Sequence, residues 1–153
     1  MQDAAAREIH HAVGEAIGAW GGVEMILGEL FAVVIDGDHA TTLAAFHSVG
    51  DPAVKLAMVD AAVRQGVDRD DAQSAWAALY ERAQGLLARR EQLTRWTVVW
   101  DGGRARLRAQ PGAFKAGFGT EFGGYSAEDI REAGAEMQVL TRAVSALLHQ
   151  LDA

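Results

Sequence analysis

Ala72, Trp76, Leu79, Ala83, Leu86, Arg90, Leu93 and Thr97 follow one another at alternating steps of four and three. This is the spacing of a buried helix seam, and one of its members is an arginine. Burying an unpaired guanidinium is prohibitive, so Arg90 must reach a carboxylate, meet an interface or carry its head out to water. Glu24 is the expected partner, since it follows Trp20 by four and shares the apolar stripe of the first helix. A bidentate Arg90–Glu24 pair would fix the register of two helices. Arg90 is therefore the seam position where chemistry could lie. Proton transfer near neutral pH needs a group that can trade a proton, and arginine, with a pKa above about 12, cannot. No histidine lies between His47 and His149. The plain structural alternative is an ion pair, or a snorkelling arginine, with no chemistry at all.

A second pattern surrounds the first. Arg89, Arg90, Arg95, Arg104, Arg106 and Arg108 are six of the 14 basic residues, and the segment that holds them contains two acids, Glu91 and Asp101. Arginines at 104, 106 and 108 project from one face of a strand, and Trp96 and Trp100 offer stacking surfaces, the means by which single-stranded nucleic acid is often held. These residues form the candidate binding set for RNA or another anionic ligand. Two features oppose that reading. The formal net charge is −7, which argues against whole-surface attraction to nucleic acid or acidic membranes, and an Arg-rich edge strand also guards against aggregation.

Other chemistry has less footing. Glu8 with His11, and Asp36 with His39, repeat the three-residue interval of di-iron helices, but such a site needs two further helix-borne carboxylates, so no metal is expected. Ser48, Ser74, Ser126 and Ser145 lack a nucleophile elbow. Gly117-Phe118-Gly119 follows no clear strand, so no nucleotide loop and no cofactor is expected. The chain has no cysteine, which removes disulfides and thiolate chemistry.

The elements that must position these residues are mainly helical. Ile9, Val13, Ile17, Trp20, Leu27, Phe31 and Val34 predict one long helix from about Ala4 to Ile35. Gly14, Gly18 and Gly22 form a stripe within it that would let another helix approach closely, or else mark a kink near Gly21-Gly22. Asp38 is the expected cap of a short helix through Phe46, and Asp51-Pro52 starts a third that stops at Gly66. Asp68, with Asp71 three residues on, is expected to open the fourth. Thr97 to Trp100, Asp101-Gly102 and the alternating Arg104–Arg108 run predict a β-hairpin near residues 97–109. Pro111 to Tyr125 holds five glycines with Phe114, Phe118 and Phe122, a pattern for an irregular loop pinned to the bundle. Ser126 with Asp129 is a capping box for a last helix carrying Ile130, Met137, Leu140, Val144, Leu147 and Leu151. The apolar run from Met25 to Ile35 is shorter than the roughly 20 residues of a membrane span, and no membrane partner is expected.

Gly14, Trp20 and Glu24 on a long first helix, with Arg90-Glu91-Gln92-Leu93-Thr94-Arg95-Trp96 on a later one, resemble the small all-helical HEPN-type domains. In that family an arginine, usually followed by asparagine, precedes a histidine by a few residues, and the group includes RNA-cleaving toxins that act as dimers. The resemblance in helix layout covers residues 14–151, though its specific motif is short. Arg90 matches the family arginine, while Glu91 replaces the asparagine and Arg95 stands where the histidine would be. The resemblance thus implies fold and dimerisation, with the nuclease motif departed; for an RNA-cleaving relative, it makes Arg90, Arg95 and Glu24 the candidate catalytic residues.

The 153 residues are half hydrophobic and 23% charged, the composition of a globular chain. A single domain is expected, an up-down bundle of four to five helices with the hairpin as an insertion. The N-terminus lacks a signal-peptide pattern, so the expected compartment is the cytoplasm. The leading functional expectation is a non-enzymatic interaction module that forms a homodimer through a helix face near the glycine stripe and Arg90. A HEPN-like RNA-binding or RNA-cleaving protein is the alternative, and a bundle that holds a small ligand under the Gly/Phe loop is the second.

Overall fold

A computed structural model describes residues 2–109 and 123–152. Its elements are α1 (Gln2–Ile35), α2 (His39–Ser48), α3 (Pro52–Gly66), α4 (Asp70–Arg95), β1 (Thr97–Asp101), β2 (Arg104–Arg108) and α5 (Ala127–Leu151). The fold is mainly α, with one small antiparallel hairpin. The Gly/Phe-rich stretch lies outside the described residues except for its end at Gly123–Tyr125.

Local signals account for most boundaries. Asp38 accepts from the Thr41 N–H and Asp51 from the Ala53 N–H, with Pro52 in the first turn of α3. Ser126 and Asp129 close a full capping box on α5, satisfying N–H groups that a helix start leaves free. The expected cap at Asp68 is not made: Arg69 is the N-cap residue, with no side-chain bond to the helix. Its guanidinium instead grips Asp71 and the Gln150 carbonyl, so the start of α4 is tied to the end of α5. In the hairpin the turn falls on Gly102-Gly103, one residue later than expected, and Asp101 pairs with Arg104. Both glycines have positive φ, +54° and +80°, as a type I′ turn requires.

Side-chain pairings fix the helix directions. Glu8 meets Arg131 and Gly22 faces Thr141, so α1 and α5 run parallel. Lys55 to Glu24 and Gly66 to Val34 set α3 parallel to α1. Arg89 to Glu136 and Arg69 to Gln150 set α4 antiparallel to α5. Helices α1, α3 and α5 therefore run one way and α4 the other. α1 and α5 approach closely at Gly134, where an added Cβ would stand 3.3 Å from the Ala16 Cα.

The core divides into two clusters. The larger holds Trp20, Val23, Leu27, Phe46, Leu56, Val59, Trp76, Leu86, Met137 and Leu140. The smaller holds Ile9, Ala12, Ala16, Leu93, Leu107 and Ile130 under the hairpin. α1 contributes to both and runs unbroken through Gly21 and Gly22. By length and composition it is also apolar enough to cross a membrane; within this fold one face of it lines the core, while Met25 and Ile35 are exposed.

Candidate functional site

Arg90 stands on α4 between Leu86 of the larger cluster and Leu93 of the smaller one. Its side chain is 23% exposed, so the guanidinium leaves the seam where the apolar core is interrupted. Its partner is not Glu24. Arg90 Nη1 donates to Glu91 Oε1 at 2.7 Å, and Arg95 Nη2 lies 2.9 Å from Glu91 Oε2. One carboxylate thus holds both arginines on the same helix. Arg90 Nε is buried with no hydrogen-bond partner among the described residues. Helical spacing places a residue on the core face but does not choose which neighbouring helix it meets, which is why the Arg90–Glu24 pair is not formed.

Glu24 turns to the other side of α1. It accepts from Trp20 Nε1 at 2.9 Å and from Lys55 Nζ at 2.9 Å. Lys55 is buried, and its ammonium also lies 5.6 Å from the centre of the Phe46 ring, within cation–π range. Lys55 was not expected as a buried cation. Its signal was present: Lys55, Val59 and Ala62 follow at steps of four and three, the pattern that singles out Arg90.

The basic segment folds around carboxylates and carbonyls. Arg89 Nη1 lies 4.0 Å from Glu136, Arg106 Nη1 lies 3.8 Å from Asp129 and donates to the Gly124 carbonyl at 3.3 Å, and Arg108 Nη1 lies 3.8 Å from Asp101. Arg104 has no ion pair among the described residues. Trp96 is stacked on Tyr125, centroids 5.3 Å apart and planes 20° apart, so one of the two expected stacking surfaces already has a protein ring on it. Trp100 remains 41% exposed. Tyr125 also donates to Gln92 Oε1 at 2.6 Å and bridges Leu107 through its backbone. Gly124 makes that bridge feasible: its φ is +81°, and a Cβ there would stand 2.6 Å from the Leu107 carbonyl oxygen.

The hairpin, α4 and the start of α5 enclose a polar cleft of about 450 Å³ lined by Arg89, Asp101, Arg106, Tyr125, Asp129 and Glu132. The Ser126 hydroxyl and N–H hold the Asp129 carboxyl below its ordinary range, with Arg106 and Arg89 adding to the effect.

The histidine–carboxylate intervals serve other contacts. Glu8 pairs with Arg131, His11 with Glu15 and His39 with Glu29. No group of three or more potential ligands gathers among the described residues.

The glycines of α1 present a different face. Gly14, Gly18 and Gly21 are exposed, and a Cβ at any of them would meet nothing within 4 Å. Gly22 is closer to α5, 3.6 Å from Thr141 Oγ1. Gly14, Gly18, Gly21, Met25 and Gly28 succeed one another at steps of four, three, four and three, so α1 carries a second seam beside its core face. At Gly28 that seam is covered, since a Cβ there would stand 3.0 Å from Phe46 of α2. Met25, just before it, is 68% exposed.

Compared with models of known families, with curated proteins and with solved structures, the chain has no match.

Proposed function

We propose that this protein is a non-enzymatic interaction module that associates with a second copy of itself through the outer seam of α1. The observation that carries the reading is the open space over Gly14, Gly18 and Gly21. Glycine in a helix interior costs about 1 kcal/mol relative to alanine. No neighbour within the described fold requires that cost at these three positions, whereas close packing of another helix would. The seam positions from Gly14 to Met25 carry no charge, and α2 already packs an aromatic ring on the same seam at Gly28. A two-fold arrangement with the α1 helices antiparallel would bring each copy's Gly18 near the other's Gly21 and cover Met25, an isologous contact of the commonest oligomer type.

Light scattering across a concentration series tests this. The wild-type protein is expected to reach the mass of a dimer, and Gly18→Leu to remain monomeric with unchanged helical circular dichroism. A wild-type protein that stays monomeric at high concentration, or a Gly18→Leu dimer as tight as wild type, would overturn the reading.

A further inference from the structure

The polar cleft between the hairpin, α4 and α5 is independent of the α1 seam, and its charges are arranged in an unusual way. Arg89 and Arg106 line it together with Glu132, Asp129 and Asp101. The charges do not cancel at close range: Arg89 stands 4.0 Å from its nearest carboxylate and Arg106 3.8 Å from its own. Both separations exceed hydrogen-bond length, so N–H groups of both guanidinium forks remain available for a planar anion. Glu132 has no ion pair among the described residues, and Asp129 is spent on the cap of α5, where its oxygen accepts from Ser126 at 2.6 and 2.7 Å. The cleft therefore presents a loosely held cation pair and an unengaged carboxylate to one space. Its volume of about 450 Å³ falls in the range of small-molecule sites.

A simple anion entering this space gains the arginines but meets Glu132 and Asp101. A simple cation meets the converse. A molecule carrying one group of each sign, a few bonds apart, satisfies both.

We infer that the cleft is a binding site for a small zwitterion of the amino-acid or short-peptide class, its carboxylate on Arg89 and Arg106 and its ammonium towards Glu132. Arg89→Gln and Glu132→Gln are the informative variants, because among the described residues Arg89 makes only the 4.0 Å ion pair and Glu132 makes none. Arg106 is unsuitable, since it also ties down the Gly124 carbonyl.

The test is a titration of the full chain, followed by NMR amide shifts and calorimetry, with the free amino acids and glycylglycine as probes. N-acetyl and C-amide derivatives of any probe that binds, and acetate and inorganic phosphate, serve as controls. Saturable binding is expected for at least one zwitterion, with shifts centred on Arg89, Tyr125 and Glu132. Removing either charge from the probe, or either side-chain charge from the protein, is expected to weaken binding at least about tenfold, the usual scale of a charge-assisted hydrogen bond. Circular dichroism matching wild type confirms that the variants are folded. The proposal is overturned if no probe saturates, if the folded variants bind as tightly as wild type, or if acetate or phosphate alone binds as well as the zwitterion, which would make the cleft an anion site.

Discussion

Lys55 and Arg90 are cations at core-facing positions that meet opposite conditions. The Lys55 ammonium is buried against a carboxylate that is also held by an indole, so removing it leaves Glu24 charged and short of a partner. Lys55→Ala is expected to cost about 3 kcal/mol in urea unfolding, the scale for breaking a buried pair. Adding Glu24→Gln should recover part of that loss, because the two residues share one interaction. Among the described residues Arg90 has no hydrogen-bond partner on another helix, and its Nε is buried without a bond. Arg90→Met keeps the apolar stem and removes the orphan donor, so its stability is expected to equal or exceed wild type. A loss beyond about 1 kcal/mol would show that the Arg90 guanidinium makes a net stabilising contact. The sequence singled out Arg90 and Glu24 correctly as charges on core faces and misjudged their pairing. Residue spacing encodes the face of a helix, while the angular order of helices around α1 is a property of the whole packing.

At the level of elements, caps were readable where one side chain decides them and misread where a distant contact does. Ser126 with Asp129 is local, and the box forms as expected. Arg69 stands in place of Asp68 at the start of α4, and its guanidinium reaches the Gln150 carbonyl at the far end of the chain, a contact no local pattern contains. The α5 box has a pH signature. Ser126 lowers the Asp129 pKa in the folded state, so the cap's stabilising effect is complete above the unfolded value of about 3.9 and is lost as pH falls through the lower folded value. Ser126→Ala is expected to cost about 1 kcal/mol at pH 7, and the difference between wild type and Asp129→Asn is expected to shrink in thermal melts below about pH 4. The glycines divide by element as well. Gly134 lies against Ala16, so Gly134→Leu is expected to cost about 1–3 kcal/mol through overpacking. Gly18 faces open space, so Gly18→Ala is expected to raise the stability of the dilute protomer by up to about 1 kcal/mol. The sequence marked a glycine stripe on α1 but assigned Gly22 to it in place of Gly21. Only the packing of α5 at Thr141 tells these neighbours apart.

The whole molecule is acidic, with six of its twelve arginines gathered around the end of α4 and the hairpin, where Glu91, Asp101, Asp129 and Glu136 return most of that charge. A cluster that looks basic along the chain is thus close to balanced in space, which favours recognition by contact geometry over long-range attraction. The corresponding unmet surface is apolar and lies on the outer seam of α1 with Met25. If two copies cover that seam, association and folding are linked: a partner that binds only the folded protomer raises the melting temperature as its concentration rises. The wild-type midpoint is therefore expected to climb with protein concentration in differential scanning calorimetry, while Gly18→Leu, blocked at the seam, is expected to melt at one temperature throughout. Ionic strength separates this from the charged end of the molecule. Salt screens exposed ion pairs within about 10 Å at 0.1 M, so an association built on the arginine cluster would weaken as salt is added, whereas one built on the glycine seam buries apolar surface and should hold or strengthen in sulfate. A concentration-dependent midpoint that disappears at moderate salt would move the contact from α1 to the hairpin end.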